Sequence, residues 1–167
     1  MRAGRAGGNR LFHRARELAR GTGGAAAVEF ALLAPVLGMV LVGMVDFGLG
    51  VFVKMQVQNA AQAGAEYVIA NGFNTSNTTP VTTAVTTAST YSGITASPVP
   101  SQFYACPVNN VLNTVASGAT CSSGKTAGTY VTVSATATYN TIIPYNQLGL
   151  SIPSSYTFTA ASTVRTQ

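Results

Sequence analysis

From Phe30 to Val53 the chain runs apolar with Asp46 as the only charged side chain. As a helix these 24 residues rise about 36 Å, enough to cross a hydrocarbon core of about 30 Å with some tilt. The helix of a soluble protein rarely runs this long with so little charge. The rest of the chain is also too poor in apolar helices to wrap it. A membrane-spanning helix is therefore expected.

Carboxylates at or near membrane depth are costly, so Glu29 and Asp46 each need an account. Glu29 lies at the helix start, where the positive end of the helix dipole favours it. It can serve as a headgroup-level acid, or pair with a free amino terminus made between Gly24 and Ala25. Asp46, followed by Phe47 and Gly48, is deeper. It suits either an interface position near the outer leaflet or a polar contact with a partner helix. Pro35 predicts a kink or local loosening. Ala34 and Gly38 form a small-xxx-small pair that permits close helix approach.

The length of 167 residues accommodates one small domain plus extra segments. The formal charge of +5 belongs to the first 24 residues, where six arginines oppose Glu17; beyond them Lys54, Lys125 and Arg165 balance Glu29, Asp46 and Glu66. No basic face remains there for nucleic acid. Arginine before the apolar run predicts a cytoplasmic leader and an exported remainder. A secretory signal peptide competes with this reading, but no A-x-A-like site closes the run; Ala61-Gln-Ala63 lies inside a continuing helical pattern. Cys106 and Cys121 both fall in the exported part. A disulfide worth about 3 kcal/mol is the default in an oxidising compartment, with two free thiols or half a metal site as alternatives. The lone His13 lies in the leader, so no His/Cys metal cluster is expected.

Residues 1–24 are rich in Arg, Gly and Ala, and Leu11, Ala15 and Leu18 hint at a short basic surface helix broken by Gly21-Thr-Gly-Gly24. Residues 25–70 read as one long helix, its transmembrane part about 30–53. Val57, Ala60, Ala61, Gly64 and Val68 share one face, while Lys54, Gln58, Gln62 and Glu66 form a separate polar stripe. Asn71-Gly72 is the stop. Residues 71–167 read as an exported Ser/Thr-rich domain. Thr79-Pro80 predicts a short helix through Val81, Ala84, Val85 and Ala88. A strand is expected near Gln102–Ala105, then a cysteine loop. Alternation predicts a half-buried strand over 131–139 and a looser one over 156–164. The expected class is α+β: a long N-terminal transmembrane helix continuing into a small exported domain whose antiparallel strands pack on the helix. Between Tyr67 and Val164 only Lys125 is charged. Such a neutral surface suits an assembly of subunits better than a soluble monomer.

No catalytic constellation is expected outside the membrane. No histidine is present there, Glu66 is the only acid beyond Lys54, and no serine or threonine has an activating partner. No phosphate loop or metal-ligand spacing occurs, so neither cofactor nor metal is expected. Asn74-Thr75-Ser76 and Asn77-Thr78-Thr79 match the glycosylation triplet, as short Asn/Thr-rich stretches do by chance. The chain reads as a non-enzyme.

Gly24-Ala-Ala-Ala-Val-Glu29-Phe30 resembles a prepilin processing site: glycine before the cut, glutamate fifth and an aromatic sixth in the mature chain. Together with Pro35, Asp46-Phe-Gly48 and Gln58-Asn-Ala-Ala-Gln-Ala-Gly-Ala-Glu-Tyr67, it is similar to the TadE-like proteins of tight-adherence (Flp-type) pilus systems. The resemblance implies a pilin-like fold and a minor pilin or pseudopilin of the cytoplasmic membrane. It implies cleavage by a prepilin peptidase between Gly24 and Ala25, with Glu29 needed for docking to other pilus subunits. The exported domain is much larger than that of short major pilins, so an accessory role is implied. A reading of a different class is an uncut single-pass protein whose exported domain binds an envelope ligand.

Overall fold

The computed structural model describes residues 23–149 and 151–166. The leader expected over 1–24, with its surface helix at Leu11, Ala15 and Leu18, lies outside them except for Gly23 and Gly24. The first element, α1 (Gly23–Asn71), is a single helix of 49 residues. It includes Gly23 and Gly24 of the Gly21-Thr-Gly-Gly24 stretch expected to break helical structure, and it continues through Pro35, which removes one bond from the ladder without ending it. It stops where Asn71-Gly72 predicts. Gly72 takes a φ of 78°, its N–H donates to the Val68 carbonyl at 2.9 Å, and the Asn71 amide donates to the Tyr67 carbonyl at 3.1 Å.

The described residues form two compact units that divide between Val45 and Asp46. In the first, none of residues 24–45 is buried, and Phe30, Leu32 and Met39 are among the exposed apolar side chains. The second unit takes the rest of α1 as part of its core. Helix α2 (Thr79–Thr87) carries Pro80 in its first turn and buries Val81 and Val85. Its N-cap is Thr78, one residue before the expected cap; the Asn77 side-chain oxygen instead accepts from the Thr79 N–H at 3.1 Å.

Four antiparallel strands follow: β1 (Ser101–Val108), β2 (Val111–Val115), β3 (Gly128–Asn140) and β4 (Ser155–Arg165), in the spatial order β2-β1-β3-β4. Strand β3 pairs with β1 from Ser101↔Thr132 to Ala105↔Gly128, and with β4 from Tyr130↔Arg165 to Asn140↔Ser155. Strand β2 was not expected, since its residues read as the start of the cysteine loop. The cause is local. Asn109 and Asn110 both take positive φ, 51° and 63°, and form a two-residue turn that folds β2 back on β1. Cys106 and Cys121 are joined with Cα atoms 5.5 Å apart, tying β1 to the segment beyond β2.

The core lies between the sheet and the helices. Val131, Val133, Ala135, Ala137 and Tyr139 project from β3 at period two and meet Val53, Val57, Ala60, Ala61 and Val68 of α1 and Val81 and Val85 of α2. Lys54, Gln58, Gln62 and Glu66 stay exposed. Gly64 lets the layers approach: a Cβ placed there would sit 2.5 Å from Val85 Cγ2 and 2.7 Å from Val133 Cγ1. The opposite face of β3 and β4 carries three cross-strand threonine pairs, Thr132–Thr163, Thr136–Thr159 and Thr138–Thr157, with hydroxyls 2.8, 3.0 and 3.3 Å apart.

Val85 and Val133 are fully enclosed and stiff at χ1, so they cannot yield to an added methyl. Gly64→Ala should therefore destabilise the unit by about 1–3 kcal/mol. Gly48→Ala, with open space around it, should be neutral or stabilising by up to about 1 kcal/mol. Denaturant melts of the two variants in detergent check the contrast.

Candidate functional site

The buried face of α1 extends toward the N-terminus from Val57 through Val53 and Gly50 to Asp46, at helical spacing. Tyr139 is the last inward-facing residue of β3. Its ring packs over Gly50, 3.8 Å from where a Cβ would stand, and its hydroxyl donates to Asp46 Oδ1, one turn earlier on the helix. The backbone N–H of Ile142, just past the end of β3, donates to the same oxygen at 3.1 Å. Asp46 is only 4% exposed, and its Oδ2 has no hydrogen-bond partner among the described residues. From sequence Asp46 is expected at an interface or against a partner helix. The structure gives its carboxylate partners within its own chain, 93 residues away for Tyr139.

The environment of this contact is apolar and tyrosine-rich. The Tyr139 hydroxyl is pushed up to about 12, first by burial and then by the Asp46 carboxylate that accepts its proton. Tyr91 and Tyr145 add to the rise. The Tyr145 hydroxyl is also raised, by desolvation and by Asp46. Tyr91 itself donates to the Thr138 carbonyl at 2.9 Å. With one carboxylate and neutral phenols, the cluster fastens the helix to the β3–β4 loop. Among the described residues no group of three or more His, Cys, Asp or Glu could hold a metal ion.

The residues expected from sequence to form a processing site lie at the other end of the apolar run. Gly24, Ala25, Glu29 and Phe30 are all exposed in the first two turns of α1, and a Cβ at Gly24 would meet nothing within 4 Å. The Gly24–Ala25 bond is thus helical, and the first-turn N–H groups around it have no intrahelical partners. Ala34 and Gly38 are half-exposed on one stripe, and the space beside Gly38 is open.

A tyrosine whose folded pKa is raised contributes stability that is present below its unfolded value of about 10 and lost as pH climbs through the folded value of about 12. Denaturation midpoints should fall across that window, and Tyr139→Phe should flatten part of the fall. At neutral pH Tyr139→Phe should cost about 1–3 kcal/mol, because it removes a donor from a buried carboxylate. Denaturant melts at stepped pH, with tyrosinate absorbance followed in parallel, test both effects.

The apolar part of α1 is long enough to cross a membrane. The family model described as TadE-like protein matches residues 24–66, an interval that opens on Gly24, includes Glu29 and Asp46 and closes on the polar stripe at Glu66. The sheet lies beyond it. No curated protein and no solved structure matches the chain. Residues 24–66 of this chain are thus similar to the TadE-like family.

Proposed function

We propose that the chain is a minor pilin or pseudopilin that assists assembly of a tight-adherence (Flp-type) pilus. The family match associates it with such systems in general. The finer reading rests on one observation: the Gly24-Ala25…Glu29-Phe30 pattern stands at the head of an apolar helix whose first 22 residues after Gly23, residues 24–45, bury no side chain. A helix exposed on every side requires lipid or other helices around it.

In this reading the arginine-rich leader stays in the cytoplasm, α1 crosses the cytoplasmic membrane, and the disulfide-bonded domain is exported. A prepilin peptidase cuts between Gly24 and Ala25. The freed amino group and Glu29 then provide opposite charges at the subunit's end, and Ala34 and Gly38 allow close approach of a neighbouring subunit's helix. The role is structural, with no reaction catalysed and no cofactor required. The partners are pilus subunits, the peptidase and lipid.

Intact mass and N-terminal sequence of protein recovered from native membranes test the reading. A chain beginning at Ala25 is expected, with cleavage lost or reduced in Gly24→Ala. The side chain at residue 24 meets open space, so lost cleavage would report fit to the peptidase rather than misfolding. Glu29→Gln should still be cut but should fail to co-isolate with fibres. A chain retaining its leader would instead favour an uncut single-pass protein whose exported domain binds an envelope ligand.

A further inference from the structure

We infer that the β3–β4 loop seats on the membrane surface, with Ile142 and Ile152 at the lipid boundary. This inference rests on α1 spanning the bilayer, and it concerns where the exported domain meets that bilayer.

The length of α1 before the domain begins is the first observation. With Glu29 at headgroup level, the helix from Phe30 to Val45 rises about 24 Å, while the hydrocarbon core is about 30 Å thick. The missing distance of about 6 Å corresponds to roughly one further helical turn. That turn begins at Asp46, which is already part of the compact C-terminal unit. The lipid boundary therefore falls at the level of Asp46 to Leu49, unless the bilayer thins.

The second observation is what stands at that level. Asp46 accepts hydrogen bonds from Tyr139 and from the N–H of Ile142, so the beginning of the loop is fixed beside this turn of helix. The loop returns through the bond between the Thr141 N–H and the Ser154 carbonyl at 2.9 Å. Around this end of the sheet three large apolar side chains are exposed, Ile142 at 55%, Ile152 at 40% and Phe47 at 76%, beside the uncharged polar Asn146, Gln147, Ser151 and Ser154. Tyr145 and Tyr156 flank them, and the loop from 141 to 154 contains no charged residue. Isoleucine tips bordered by tyrosine, without charge to hydrate, match the chemistry of the headgroup–acyl boundary. Exposure alone does not select this loop, because Val111 is 59% exposed. Val111 follows the β1–β2 turn at the opposite end of β3, where β1 pairs Ala105 with Gly128. The hydrogen bonds to the membrane-level turn of α1 come from the loop end of β3, through Tyr139 and Ile142.

The test uses the full-length protein in phosphatidylcholine–phosphatidylglycerol nanodiscs, with a nitroxide attached at Val40→Cys, Ile142→Cys, Ile152→Cys or Asn110→Cys. The native cysteines are paired, and all four sites are exposed, so the label perturbs little packing. Collision with oxygen relative to a water-soluble nickel chelate reads depth. Residue 40 should report the bilayer interior. Residues 142 and 152 should show an oxygen-to-nickel ratio several-fold above that of residue 110. If 142 and 152 read as aqueous as 110 while 40 remains in lipid, the loop inference is overturned and the membrane-spanning helix stands. If 40 is also aqueous, the spanning helix fails and the loop inference fails with it.

Discussion

A carboxylate inside an apolar helix must find donors, and the way Asp46 does so sets the arrangement of everything C-terminal to it. An unpaired charge in such surroundings costs several kcal/mol, so the helix cannot leave the sheet at this point without stranding it. Tyr139 and the Ile142 N–H supply the donors. Because Tyr139 ends the inward-facing row of β3, the same bond fixes the position of that row against the helix. Gly50 makes the contact possible by leaving room for the phenol ring. A carboxylate, a glycine one turn later and a tyrosine at the end of a strand thus act together as one fastening.

Much of the architecture was legible because it depends on short-range periodicity. Small residues at Ala60, Ala61 and Gly64 marked the face of α1 that packs closely, and the alternation from Val131 to Tyr139 marked β3; both faces are buried as their spacing predicts. The stop at Asn71-Gly72 was equally local. Strand β2 escaped because its five residues alternate weakly and remain largely exposed, while the Asn109-Asn110 turn that creates it depends on backbone conformation rather than on hydrophobicity. The start of α1 also moved, taking in glycines whose individual propensity opposes helix.

The resemblance around Gly24, Glu29 and Phe30 is local in sequence, and the family match opens on Gly24. Asp46 was recognisable as a residue requiring a partner, but the identity of that partner was not. Local periodicity carries no information about a residue 93 positions away. The available clue was that the stripe of Val57 and Val53 runs back through Gly50 to Asp46, so the buried face of the helix does not end where the polar stripe begins. The apolar run and the attachment to the sheet therefore meet on one residue.

The threonine pairs on the outer face of β3 and β4 have a consequence for the setting in which such a domain works. Hydroxyls paired across strands hold that face together without ionic groups, and Lys125 is the only charge between Tyr67 and Val164. Apart from Arg165 at the end of β4, dissolved salt has little there to screen, and mild acid has nothing to protonate. A surface built this way keeps the same character in fresh water, brine or an acidic film, so whatever meets it encounters the same chemistry in each.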